Sequence, residues 1–214
     1  MCLQGNHRFV CGLFLIEPQS IMLRKILFFL LLWISISPPV HASSVLPLYL
    51  DQIVAGSHIA FQGICTGNRS ERDAQTGMIV TYSSFDVSDI LKGNAGATHI
   101  IKQIGGQVGA ESYRVQGVPS FVVGQEYVVF LYGVSNAGFS SPVGLSQGLF
   151  GVRSGPAGKE ISNGRDFKEL LSGPASSMVP EAVANKVKNT VGEAHHLQID
   201  EFKQIVRRLN GGPK

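Results

Sequence analysis

The sequence predicts a mainly β, α+β protein: a small antiparallel barrel of five to six strands with a short N-terminal helix and C-terminal helices. Three observations carry this. The run Tyr127-Val128-Val129-Phe130-Leu131-Tyr132, bounded by Gly124 and Gly133, is apolar or aromatic throughout and does not alternate with polar groups, so it reads as a strand covered on both faces. Shorter stretches of alternating hydrophobicity, separated by glycine-rich turns, surround it. Helical periodicity is confined to the two ends of the folded part.

Taken in order, residues 45–54 carry Leu46, Leu48, Leu50, Ile53 and Val54 at a mixed spacing that suits a short amphipathic helix, with Asp51 and Gln52 facing water, as a plug across one end of the sheet. Residues 58–65 read as the first strand, and the polar stretch 67–77 as a solvated hairpin tip. Residues 78–91 form a long strand with a fault: Val80 and Tyr82 share one parity, Phe85 and Val87 the other. A β-bulge at Ser83-Ser84 would bring all four to the core and bend the strand around a barrel. Lys92-Gly93-Asn94 makes a turn, 97–104 a strand ended by Gly105-Gly106, and 109–117 an excursion from which Tyr113 and Val115 return toward the core. Pro119 cannot donate to a ladder, which puts its segment at an edge or corner.

Beyond the central strand, residues 134–147 are rich in Ser, Gly, Asn and Pro, a loop long enough to suggest function. Residues 148–152 are the last strand. Residues 166–171 make a helical turn and 174–180 a linker; 181–191 carry Val183, Val187 and Val191 at four-residue steps between Pro180 and Gly192. Phe202, Ile205, Val206 and Leu209 follow i, i+3, i+4, i+7, with Asp200 expected as N-cap, so this is the strongest helix.

The N-terminus reads as an export signal. Arg24-Lys25 precede an uncharged run of about 11 residues, then Pro38-Pro39 and the small-residue end Val40-His41-Ala42. That run is shorter than the ~20 apolar residues a membrane-spanning helix needs, so no stable span is expected once it is cleaved after Ala42. Translation is expected to start at Met22, leaving 1–21 as an upstream extension. The organisation is therefore 1–21 extension, 22–42 signal peptide, 43–153 barrel, 154–180 loop and linker with a short helix, and 181–211 helical segment.

Processing would change the formal charge from +3 to near neutrality, with 15 basic against 14 acidic residues, so no nucleic-acid footprint is present. Of the three cysteines only Cys65 lies beyond the signal, which excludes an internal disulfide and suits a core-stabilised bacterial envelope protein, periplasmic or extracellular. In its apolar run Cys65 reads as a buried, inert thiol.

The order of motifs resembles a group of exported bacterial β-barrel proteins without an assigned activity. The resemblance rests on Thr76-Gly77-Met78-Ile79-Val80-Thr81, Phe85-Asp86-Val87, Leu91-Lys92-Gly93, Gly105-Gly106, Gly124-Gln125-Glu126-Tyr127-Val128-Val129-Phe130-Leu131 and 142–150, and covers about residues 48–153. It implies a small barrel distantly similar to the oligonucleotide/oligosaccharide-binding and netrin-like barrels, and fold-level likeness transfers no activity. Netrin-like inhibitors of metalloproteases use an N-terminal cysteine. A chain beginning at Ser43 has none there, so that mechanism is not implied.

One motif looks catalytic. Gly144-Leu145-Ser146-Gln147-Gly148 matches G-x-S-x-G, and Asp166 and then His195 or His196 follow in the order of an α/β-hydrolase triad. The motif needs a strand before it and a helix after it; here a loop precedes and a strand follows, so a secreted serine hydrolase is the alternative reading and no catalytic residue is assigned. His195-His196 with Glu193 and Asp200 do not make a metal site, because adjacent residues point about 100° apart on a helix. A single Glu193/His196 pair is too few ligands. His58 and His99 stand alone on strands. Gly105-Gly106 and Gly109 lack the Lys-Ser/Thr ending of a phosphate loop.

The expected function is thus an exported, non-enzymatic binding or accessory module of the bacterial envelope, with no cofactor, whose partner is an exported protein or a glycan. A structural envelope component is a further alternative. The expected contact surface is the barrel mouth beside the long loop: Ser135, Asn136, Ser146 and Gln147, with Phe139 as an exposed aromatic anchor.

Overall fold

In the computed structural model the described residues are 24–25, 45–192 and 194–211. The chain divides into two compact units, 1–44 and 45–214. Of the first, only Arg24 and Lys25 are described, both helical and exposed. The remainder of the expected extension and signal peptide lies outside the described residues. Every strand among the described residues belongs to the second unit.

Helix α1 (Leu50–Gly56) leads into a sheet made of β1 (Ile59–Arg72), β2 (Ile79–Lys92), β3 (Thr98–Ile104), β6 (Glu126–Leu131), β7 (Leu149–Gly155), β8 (Gly158–Ser162) and β9 (Leu197–Gln198). Between β3 and β6 a separate hairpin pairs β4 (Gly106–Val108) with β5 (Glu111–Tyr113). After β8 come α2 (Phe167–Leu170), a 3-10 turn (Ser176–Met178), α3 (Glu181–Asn189) and, after β9, α4 (Ile199–Gly211). The protein is therefore mainly β with helices at both ends, and every strand pairing is antiparallel.

The main sheet has seven strands in the order β3-β2-β1-β6-β7-β8-β9. No ladder joins β3 to β9 among the described residues, so the sheet is open where a closed barrel of five or six strands was expected. The extra strands are β8 and β9, in stretches too short and polar to stand out: Ile161 and Leu197 are their buried residues. The region 154–180, expected as loop and linker with a short helix, has that helix as α2 and contributes a strand besides.

Central strand β6 has the two covered faces its composition demands. Val128 and Phe130 enter a core with Leu50, Ile53, Phe150, Phe167 and Phe202, while Tyr127, Val129 and Leu131 enter a second with Phe61, Cys65, Phe85, Ile101 and Phe121. The first core lies under the helices: Phe202 of α4 packs on Phe150 with ring centroids 4.8 Å apart and on Phe130 at 6.2 Å. Helix α4 therefore docks on the sheet, its Arg207 paired with Asp89 of β2 at 2.9 Å. It begins at Ile199, one residue before the expected N-cap, so Asp200 sits in the first turn, where a carboxylate favours the helix dipole. The second core lies on the opposite face of the sheet.

Bulges are present, but not at the expected place. The β1–β2 ladder slips at three points, which leave Thr66, Ser88 and Leu91 unmatched. The β2–β3 ladder runs unbroken from Val80 to Asp86, through Ser83-Ser84. Val80 and Tyr82 consequently face away from Phe85. Tyr82 lies beneath Arg69, 5.0 Å from its ring centroid. The side facing the second core carries Thr81 and Ser83 instead. Beyond Cys65, β1 likewise continues as a strand to Arg72 rather than opening into a hairpin tip, because its polar half pairs with 79–84.

Candidate functional site

The inner face of β1, β2 and β3 is apolar at one end and polar at the other. Alternation through the ladders puts Phe61, Cys65, Phe85 and Ile101 at the apolar end; past the Thr66 bulge the same face carries Asn68, Ser70, Thr81, Ser83 and Gln103. Two segments cover the polar end. One is the β4–β5 hairpin, the other the stretch that leads through Pro119 and Phe121 to β6. Between sheet and cover lies a cavity of about 280 Å³, walled by Asn68, Thr81, Ser83, Gln103, Tyr113 and Phe121 among others.

Glycine makes the cover possible. Gly105 and Gly106 have φ of +102° and +138°, and a Cβ on Gly106 would stand 2.5 Å from Ser70 Oγ. The hairpin backbone can thus lie directly on the polar strand face. Thr81 Oγ1 donates to the Gly105 carbonyl at 2.7 Å and lies 2.8 Å from Ser70 Oγ, tying hairpin and sheet together. Asn68 Nδ2 donates to the Phe121 carbonyl at 2.7 Å, which fixes the second covering segment. Tyr127 Oη accepts from Val122 N at 3.0 Å on the same segment.

Gln103 is the exception to this satisfied network. It is 4% exposed, and its Nε2 has no hydrogen-bond partner among the described residues. An unsatisfied buried amide costs ~1–3 kcal/mol, so the fold carries this group at a loss. Among the described residues Arg114 is the single charged one on the cavity wall, and it is exposed. On the same inner face His99 has its ring 5.1 Å from Phe61; burial pushes its pKa below the ordinary value, partly offset by the bond between Nδ1 and the Ala95 carbonyl. A ring so placed is neutral at pH 7.

The residues expected at the long loop divide between two places. Residues 132–141 lean on β3: Ser140 N donates to the Lys102 carbonyl at 3.0 Å, and Lys102 Nζ donates to the Ala137 carbonyl at 2.8 Å. Phe139 is half-buried with Lys102 Nζ 4.7 Å from its ring centroid, so it is engaged by a cation where an exposed anchor was expected. Ser135 and Asn136 are exposed, and Ser135 Oγ caps its own turn by accepting from Phe139 N at 3.0 Å.

Ser146 and Gln147 belong to the turn 144–148, which is fastened to the N-terminal arm. Gln147 Oε1 accepts from Leu48 N at 2.7 Å and its Nε2 donates to the Leu46 carbonyl at 3.0 Å. Ser146 is exposed, and the two residues before it, Gly144 and Leu145, lie in the left-handed region with φ of +62° and +64°. The turn follows the lone bridge of Pro142 to Leu131 and runs into β7, so no helix starts behind the serine.

Asp166 caps α2: its Oδ1 accepts from Lys168 N at 2.9 Å and from Ala194 N at 3.0 Å. Burial alone would raise its pKa, but these two N–H groups, with Lys168 and His195 nearby, hold it below the ordinary carboxylate value. Asp166 and His195 are therefore brought within electrostatic reach of one another, in a role that closes a helix end. Among the described residues no three His, Cys, Asp or Glu groups stand together as a metal site, and Glu193 lies outside them.

Fold and cavity define a mainly β protein with a preformed polar pocket between its sheet and the covering β4–β5 hairpin. Compared with known proteins, the chain matches no family model, and no curated protein matches it. Among the described residues no helix is long and apolar enough to cross a membrane.

Proposed function

We propose that the protein is an exported, non-enzymatic binding module of the bacterial envelope, and that its ligand sits in the cavity beneath the β4–β5 hairpin. The observation that carries this reading is Gln103, a buried amide on the cavity wall with its donor unmatched. Buried polar groups without partners are rare in native folds, and a ligand acceptor would relieve this one. The cavity is near the lower end of the ~300–1,000 Å³ of small-molecule sites, which suits one compact group rather than an extended cofactor. The resemblance to exported barrel proteins supports reading the sheet as a small barrel whose mouth is this cavity. The signal-like stretch 22–42 supports export, to the periplasm or beyond.

Native mass spectrometry of the chain recovered from the envelope fraction tests both parts. The expected result is a chain starting at Ser43 that carries a non-covalent small molecule, lost in Gln103→Leu. A chain confined to the cytosolic fraction with residues 22–42 retained overturns export. A ligand that stays bound in Gln103→Leu overturns the cavity as its seat.

A further inference from the structure

We infer that the cavity takes a neutral saccharide, holding one sugar ring against Gln103 with Tyr113 at its rim; this rests on the binding-module reading above. The wall still has specific hydrogen-bonding capacity to offer. Gln103 Nε2 is a donor in need of an acceptor. Asn68 Nδ2 gives one of its two hydrogens to the Phe121 carbonyl and keeps the other, while the Thr81 hydroxyl hydrogen is engaged with the Gly105 carbonyl, so Asn68 can still donate and Thr81 can only accept. Ser83 on the same face adds a hydroxyl that is 1% exposed. A group that accepts from one neighbour and donates to the next is therefore required, and a hydroxyl does both.

Charge narrows the choice further. Among the described residues no carboxylate lines the cavity, and Arg114, the one charged residue among them on its wall, is exposed. An ionised ligand group buried beside Gln103 would lose its hydration without gaining a counter-charge, whereas a neutral hydroxyl that finds a hydrogen-bond partner costs far less to bury. Shape agrees with this. The apolar part of the wall includes Phe121 and Val118, and Tyr113, exposed on β5, offers an aromatic face to the C–H side of a ring. Amide and hydroxyl groups on one side and an aromatic on the other make a two-sided seat for a pyranose. The β4–β5 hairpin, fixed by the close approach of Gly106 to Ser70, presents that aromatic without itself entering the cavity.

The test is saturation-transfer NMR and calorimetry on the full chain with glucose, mannose, galactose, N-acetylglucosamine and its β-linked dimer. Glucuronate and short neutral peptides are the contrasting probes. At least one neutral sugar is expected to bind, with affinity reduced about tenfold or more by Gln103→Leu and also by Tyr113→Ala, an exposed position that leaves the core intact. Binding of glucuronate or a peptide alone, with the same sensitivity to Gln103→Leu, overturns the sugar assignment and leaves the binding module standing. Failure of every probe, together with an envelope-derived chain that carries no ligand, overturns both. Sugar binding unaffected by either substitution overturns the site.

Discussion

Lys102 Nζ stands 2.7 Å from Asp73 Oδ1, and both side chains are nearly buried. The pair joins β3 to the turn after β1, and the same ammonium holds the loop 132–141 through Ala137. The bond from Lys102 leads in holding the Asp73 carboxyl below its ordinary value of 3.8, with Thr76 helping. A depressed folded pKa contributes stability that is present above the unfolded value and lost as pH falls through the folded one. The same bond raises Lys102 above 10.5, so its share is full at neutral pH and lost only in strong alkali. Urea midpoints should therefore fall below about pH 4, and Asp73→Asn should lower the neutral-pH midpoint while flattening that acid limb. An unchanged limb in the variant would assign the acid response to other carboxylates.

Phe202 fills the space between Phe130, Phe150 and Phe167 and is fully buried. Phe202→Ala should cost ~3–5 kcal/mol in urea denaturation, as other large-to-small core changes do. Arg207→Ala on the same helix removes an exposed pair to Asp89 and should cost under about 1 kcal/mol. Equal effects at the two positions would contradict the docking of α4 by its apolar face.

Gly106→Ala places a methyl 2.5 Å from Ser70 Oγ at φ +138°. The substitution should destabilise by more than about 1 kcal/mol. It should also displace the hairpin, visible as chemical-shift changes at Thr81 and Gln103 in a heteronuclear NMR spectrum. Gly109→Ala, whose Cβ would meet nothing within 4 Å, supplies the control at another left-handed position.

Ser146 is exposed on a turn that leads into a strand, with no helix N-terminus to donate N–H groups to an oxyanion. A fluorophosphonate probe should not label the protein, and Ser146→Ala should leave cavity binding unchanged. Stoichiometric labelling at Ser146 would revive the hydrolase reading.

The architecture was legible where composition is extreme. Tyr127 to Leu131 declared a doubly covered strand, and the i, i+3, i+4 pattern of Phe202, Ile205 and Val206 declared the terminal helix, because burial there demands apolar side chains. The strands β8 and β9 gave little signal, since a two-residue edge such as Leu197-Gln198 is held by its neighbour and not by its own propensity. The site was hidden by a plausible rule. Val80 and Tyr82 looked like the core face of β2 and a bulge was expected to reconcile them with Phe85. In fact the polar Thr81 and Ser83 face inward. The departure from alternation was the cavity itself, and local rules tend to fail where a fold serves a ligand. Nothing in the sequence singles out Gln103, whose importance lies in a missing partner.

The double burial of β6 has a consequence for time as well as for packing. Its backbone pairs with β1 on one edge and β7 on the other, and neither face of Val128, Val129 or Phe130 meets water. No partial opening can wet these amides without parting both cores at once. They become the molecule's slowest clock: hydrogen–deuterium exchange there proceeds only as fast as the whole unit unfolds. A small molecule seated at the far end of the sheet would be readable at β6 as a slowing of that clock, although it touches none of those residues.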